Sequence, residues 1–233
     1  MTTSVFIKTC ERDLEWLKYG ARSIQRFGWG FDEVVVVADE SCNGKLGGLP
    51  TVVSSVHYVP EWPDGRIQQQ AYKLLADTYT KSEFILFTDS DCLFNQPFSE
   101  SNFMRDGKPV LLKIRYELAG DSRIWKIPTQ SFVGWDVEWE YMRRMPMMFR
   151  RDTLTAAREM FPEWQERLKT VDDNMFSEFN VLGAFVERHE PEKYFISDTE
   201  AWVPDAVARQ FWSWGGITPE VQAEIKSILH EKS

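Results

Sequence analysis

Apolar positions along this chain follow two periods, and the alternation between them predicts an architecture. Residues 4–9 form a short apolar strand with a polar end, and residues 13–27 place Leu14, Leu17, Ala21 and Ile24 at helical spacing before Gly28 and Gly30. Residues 33–38 include four consecutive valines, a run expected of a strand covered on both faces in a parallel sheet, and stop at Asp39. A turn-rich stretch with Gly44, Gly47 and Gly48 leads to a further strand over 52–59. Gly65 opens a helix over 66–79, and an apolar run of strand length from Phe84 halts at Asp89 and Asp91. Strands separated by crossover helices predict an α/β fold: a Rossmann-like single domain, mostly parallel in its central sheet, with helices on both faces.

Past Asp91 the periodicity loosens. Residues 110–115 read as a strand, and 124–151 as irregular, aromatic and basic. A helix over 153–161, which Asp152 or Thr153 would cap, ends at Pro162, and a second spans 172–187. Two more, over 204–212 and 219–230, each open with a Pro in the first turn.

Of these features, the paired acids carry the most chemistry. Ligands of open α/β sheets collect outside the carboxyl ends of the strands, so Asp89 and Asp91 stand where chemistry is done. Oxygen-rich pairs suit a hard cation, Mn²⁺ or Mg²⁺, which can hold nucleotide phosphates. The net charge of −9 sets the surface as a whole against nucleic acid and anionic membranes. Residues 105–151 differ, with ten Lys and Arg against six Asp and Glu, a net of +4. That basic, aromatic segment predicts an acceptor-binding face. The three cysteines lack CxxC spacing, and no stretch approaches the roughly 20 apolar residues of a membrane span, so a cytoplasmic protein without an anchor is expected.

Several blocks together resemble a known family. Lys8-Thr9-Cys10-Glu11-Arg12-Asp13, the valine strand ending at Asp39, and Asp89-Ser90-Asp91 stand in the order found in GT-A glycosyltransferases, whose Asp-X-Asp motif the last block resembles. Gly65 to Leu75, Met147 to Leu154 and Phe176 to Asn180 are similar to small bacterial and phage proteins of that fold, of capsular-polysaccharide type. The resemblance implies a GT-A domain over 1–233, with the nucleotide-sugar half in 1–95 and the acceptor half in 96–233. It implies transfer of a sugar from a nucleotide-diphosphate donor, a UDP-sugar first, to a hydroxyl of a glycan. The alternative acceptor is a hydroxymethylated base in DNA, and the setting is a bacterial cytosol or a phage-infected cell.

The resemblance also assigns roles. Asp91 would ligate the metal, Asp89 would touch the ribose or a metal-bound water with Ser90 beside it, and Thr9 and Asp39 would face base and ribose. Lys73, Arg66 and Gln70 are phosphate candidates. Glu178, an acid among Phe176, Phe179 and Val181, is the candidate base for the acceptor, with Asp172 and Asp173 as competitors. Arg143, Arg144, Trp135 and Trp139 would bind the acceptor, and Trp202, Trp212 and Trp214 offer further stacking surfaces. The metal's third ligand has no clear source, His189 being the nearest option. Two other classes compete: a nucleotidyltransferase, which wants a Gly-rich phosphate loop that residues 9–14 lack, and a non-catalytic sugar-binding module, which needs no acid pair.

Overall fold

A computed structural model describes all residues except 62–64, 172–174, 200–205 and 231–233. The first half runs β1 (Thr3–Thr9), α1 (Leu14–Phe27), β2 (Glu33–Asp39), β3 (Ser55–Val59), α2 (Gly65–Leu74), β4 (Phe84–Asp89) and β5 (Cys92–Phe94). There follow β6 (Met104–Arg105), β7 (Lys108–Arg115), α3 (Lys126–Val133), β8 (Trp139–Glu140), β9 (Met147–Arg150), α4 (Arg151–Met160) and α5 (Trp164–Thr170). The chain continues through α6 (Glu178–His189), β10 (Phe195–Asp198), β11 (Ala208–Gln210) and α7 (Pro219–Leu229).

The main sheet has the order β3-β2-β1-β4-β9, parallel throughout except for β9 against β4. Its strands are apolar at successive positions because both faces are covered. Phe6, Val35, Val37, Ile85, Phe87 and Phe149 face one core, shared with α2, α4 and α6; Val5, Ile7, Val34, Val36, Leu86 and Met148 face the other, shared with α1. This is an α/β, Rossmann-like sheet with helices on both faces. Two smaller ladders flank it: β10-β7-β6 with β8 beside β7, and β11 antiparallel to β5.

Several expected boundaries shift. The helix over 66–79 is α helix only to Leu74 and tightens into a 3₁₀ turn over Ala76–Thr78. The helix expected from residue 172 starts at Glu178 in the described residues. Residues 124–151, expected to be irregular, hold α3, β8 and β9. Neither Asp152 nor Thr153 caps α4, whose first helical residue is Arg151; Thr153 is buried and donates to Glu190 at 2.6 Å. The helix expected over 204–212 is corrected most: in its described part it is β11, held by pairing with a strand more than a hundred residues away. α7 does begin as expected, with Thr218 accepting from the Val221 amide at 3.3 Å and Pro219 in the first turn.

One contact orders the second half. The Asn180 side-chain oxygen accepts from the Tyr141 amide at 2.7 Å, and α6 packs so closely on Tyr141 that a Cβ on Gly183 would stand 2.2 Å from its Cγ. The clash falls on the root of the ring, which cannot swing away. Gly183→Ala is therefore expected to cost about 1–3 kcal/mol, the range for an overpacked core, and to lower the denaturant midpoint with an unchanged slope. A wild-type midpoint in that variant would refute the close approach.

Candidate active site

Parallel pairing brings the polar strand ends into one row. Thr9 pairs with Ala38 just before Asp39, and Lys8 pairs with Asp89, so β2, β1 and β4 deliver Asp39, Thr9 and Asp89 to the same edge. At the usual spacing of neighbouring strands the row spans roughly 10 Å. Ser90 Oγ donates to Thr9 Oγ1 at 2.9 Å and pins the turn after β4 to the end of β1. On its other side that turn lies against α1, where a Cβ on Gly20 would meet the Ser90 carbonyl oxygen at 2.9 Å.

Asp39 and Asp89 are held differently from one another. Asp39 accepts from the buried Lys8 ammonium and from Gln68, both through the same oxygen, Oδ1. Asp89 accepts from Lys73 at 2.8 Å, Gln69 at 3.2 Å and Gln210 at 3.3 Å. Lys73 itself is buried, contacts Glu178 Oε1 at 3.2 Å and lies 4.9 Å from the Phe179 ring centroid. Burial alone would depress the Lys73 pKa, but the charges of Asp89 and Glu178 outweigh it and raise it, so the cation is permanent.

Among the described residues no Lys or Arg forms an ion pair with Asp91, and the cation that feels its charge is Arg12. Its backbone oxygen accepts from the Phe211 amide at 2.7 Å and its Oδ2 from the Ser213 amide at 2.8 Å. Burial and the neighbouring Asp89 charge push its pKa up to about 6 against the pull of the Ser213 hydrogen bond. A carboxylate whose ionised form is disfavoured in this way is a group waiting for a positive partner.

Lys8, Thr9, Asp39, Asp89, Ser90 and Asp91 line a cleft of about 310 Å³, whose far wall is Met142, Gln210, Trp212, Ser213 and Trp214. No protein-family model matches this chain, and no curated protein matches it. The cleft must therefore be read from its own chemistry. Among the described residues no group of three or more His, Cys, Asp or Glu is placed to hold a metal by protein ligands alone. That donor set still fits an Mg²⁺-type ion, which is ordinarily bound by one or two carboxylates with water and substrate phosphates completing the shell. Asp91 is the carboxylate short of positive charge, and Asp89 the one already held in place. Cys10 also lines the cleft, but burial and the Asp13 charge raise its pKa, which keeps it a thiol rather than a nucleophile.

The remaining expected residues are dispersed. Arg66 has no described side chain, and Asp172, Asp173 and Trp202 lie outside the described residues. Gln70 is half-buried, with its Oε1 buried and without a hydrogen-bond partner, and does not line the cleft. Lys73 and Glu178 sit behind Asp89 rather than on the cleft wall. His189, exposed at the far end of α6, packs against Trp135 and Phe185, roughly 16 Å along the helix from Glu178. Arg143 binds the fully buried Glu140 at 2.5 Å, and Arg144 borders a separate crevice with Pro146 and Met147. Trp135 and Trp139 line another groove, with Arg188 4.8 Å from the first ring and Lys113 4.0 Å from the second.

Lys8, Cys10, Arg12, Asp13, Gln69, Met142, Gln210 and Ser213 also line the cleft and were not among the expected site residues. Arg12 and Asp13 could have been found, because they follow the polar end of β1 directly. Nothing in the sequence announces Gln210 or Ser213, which arrive through the β5–β11 ladder.

Proposed function

We propose that this protein is a metal-dependent glycosyltransferase of the GT-A class, moving a sugar from a nucleotide-diphosphate donor to an acceptor hydroxyl. The observation that carries this reading is the charge-starved Asp91 beside a fixed Asp89, at the carboxyl end of a central parallel strand and inside a cleft. Bound at Asp91, a divalent cation would neutralise charge on the departing nucleoside diphosphate. Asp39 keeps Oδ2 for a hydroxyl or N–H of the nucleoside, since Lys8 and Gln68 both use Oδ1. Thr9 and Ser90 offer hydroxyls between that end and the acid pair.

Arg12, whose side chain is 71% exposed, is the cation in the cleft with reach to the diphosphate. Lys73 serves instead as the fixed positive charge behind Asp89, and Glu178 as its counter-charge. In the transfer step the acceptor oxygen bonds to the anomeric carbon as the bond from that carbon to the phosphate oxygen breaks. The acceptor proton passes to a carboxylate, and the electron pair leaves with the diphosphate.

Incubation with Mn²⁺ and a panel of nucleotide-sugars, followed by assay of free nucleoside diphosphate, tests the reading. Slow hydrolysis of at least one donor, abolished by chelation, is the expected result. Release of inorganic pyrophosphate from nucleoside triphosphates would assign nucleotidyl transfer instead, and no turnover of any donor would defeat both.

A further inference from the structure

Trp212 and Trp214 are 63% and 78% exposed, yet the turn that carries them is bonded to the strand end at Asp91. The 3₁₀ turn Ser213–Gly215 is fixed at its start by the Asp91 bonds to Phe211 and Ser213. Phe211 is buried against Trp16, with ring centroids 5.6 Å apart, in a core shared with Ile225 and Leu229 of α7. At its other end the turn runs into the Thr218 cap of α7. Exposing two indoles on a rigid support costs hydration free energy that packing does not recover. Both rings line the cleft that holds Asp89 and Asp91.

Their place in that cleft follows from what the segment carrying them touches. Asp39 on β2 stands two strands from Asp89 on β4, with β1 between, whereas the indole-bearing segment is bonded at the acid pair itself, Ser213 to Asp91 at 2.8 Å and Gln210 to Asp89 at 3.3 Å. In a nucleotide-diphosphate-sugar the phosphates stand between nucleoside and sugar. With the phosphates at the acid pair, the sugar and the hydroxyl that attacks it fall on the side of Trp212 and Trp214.

Charge then narrows the occupant. The charged residues lining the cleft are Lys8 and Arg12 against Asp13, Asp39, Asp89 and Asp91. Four of the ten cations over 105–151 are already paired with carboxylates, which reduces what the segment offers a polyanion. Lys113 pairs with Glu187, Arg115 with Glu138 at 3.6 Å, Arg143 with Glu140, and Arg150 with Asp152 at 3.0 Å. Trp139 meanwhile has both Lys113 and Arg115 against its ring.

We propose that Trp212 and Trp214 form the acceptor subsite, and that it takes an uncharged saccharide whose apolar C–H face stacks on the indoles. The proposal rests on the glycosyltransferase reading and narrows its acceptor to a neutral glycan.

The test uses the whole protein with a panel of neutral gluco-, galacto-, manno- and N-acetylglucosamine-based oligosaccharides, plus a hydroxymethylated DNA oligonucleotide. Binding is read by saturation-transfer NMR and Trp fluorescence, with and without Mn²⁺ and UDP. At least one saccharide should bind with an affinity indifferent to salt. In the double variant Trp212→Ala, Trp214→Ala that affinity should fall about tenfold or more, the scale of stacking interactions lost with the rings. Trp135→Ala with Trp139→Ala should leave it within about twofold, as expected of rings outside the subsite.

The proposal is overturned if no saccharide binds, if the Trp212 and Trp214 variant binds as the wild type does, or if the DNA binds with a steep salt dependence. It is also overturned if ultracentrifugation shows a dimer that this variant abolishes, because the rings would then belong to an interface between copies. Binding of Mn²⁺ with UDP, measured separately, reports on the donor site and keeps failure there distinct from failure of the subsite.

Discussion

Replacing Lys73 by methionine is expected to destabilise the protein by about 3–5 kcal/mol, the usual consequence of leaving buried charge without its partner. Lys73 is 2% exposed and stands between Asp89 Oδ1 at 2.8 Å and Glu178 Oε1 at 3.2 Å. Methionine keeps the length and apolar stem of the side chain, so the loss is of charge and hydrogen bonds, with little change in packing. Two carboxylates would then be left without the cation they share, Glu178 buried and Asp89 at the edge of the cleft. Urea unfolding of the single variant and of Lys73→Met combined with Glu178→Gln separates the terms. The double variant should recover part of the loss, because one of the stranded charges is gone. Equal midpoints for the two variants would show that Glu178 does not share the cation.

Asp91→Asn should do the opposite to stability and the worst to function. The Asp91 pKa, about 6, lies above the 3.8 of the free group, so the unfolded chain releases this proton first as pH rises. The stability this carboxyl allows is fully present below pH 3.8 and is lost as pH rises through 6. Over that window the ionised group costs on the order of 3 kcal/mol at most. Asparagine removes the charge and keeps an oxygen for the Ser213 amide, so the metal-free variant should melt higher than the wild type at pH 8 and show no gain at pH 3.5. Under the proposed function it should also lose Mn²⁺-dependent donor binding by titration calorimetry. A lower melting temperature at pH 8 would contradict the electrostatic reading, and undiminished donor binding would remove Asp91 from the metal site.

Much of the first half was legible because its signals are local. Four valines in a row, an apolar run stopped by Asp89, and Leu14, Leu17, Ala21 and Ile24 at helical spacing each state an element within ten or so residues, and parallel pairing then aligns their ends. The second half was less legible for identifiable reasons. α3 carries a proline and a weak apolar stripe, and α5 is seven residues long, too short to show a period. Pro204 pointed to a helix where residues 208–210 instead pair with Cys92 to Phe94, a long-range contact overriding a local cue.

The site divides along the same line. Asp39, Thr9, Asp89, Ser90 and Asp91 share one cleft because strand ends, which can be seen in a sequence, are aligned by parallel pairing. Lys73 and Glu178 were expected at the phosphates and the acceptor, but sequence gives no depth, and the packing of α2 and α6 puts them behind Asp89. The basic segment shows a similar limit: a charge count over 105–151 does not see Glu187, Glu83 or Asp152 pairing with Lys113 and Arg150.

The bond from the Ser213 amide to Asp91 spans 122 residues of chain, and this has a consequence in time. At about 5–20 residues per second, synthesis reaches Ser213 roughly 6–25 s after Asp91. Every strand of the main sheet precedes it, since β9 ends at Arg150. On the ribosome the sheet can therefore close while the carbonyl and carboxylate of Asp91 still bond to water. The nascent chain has a scaffold well before it has a cleft.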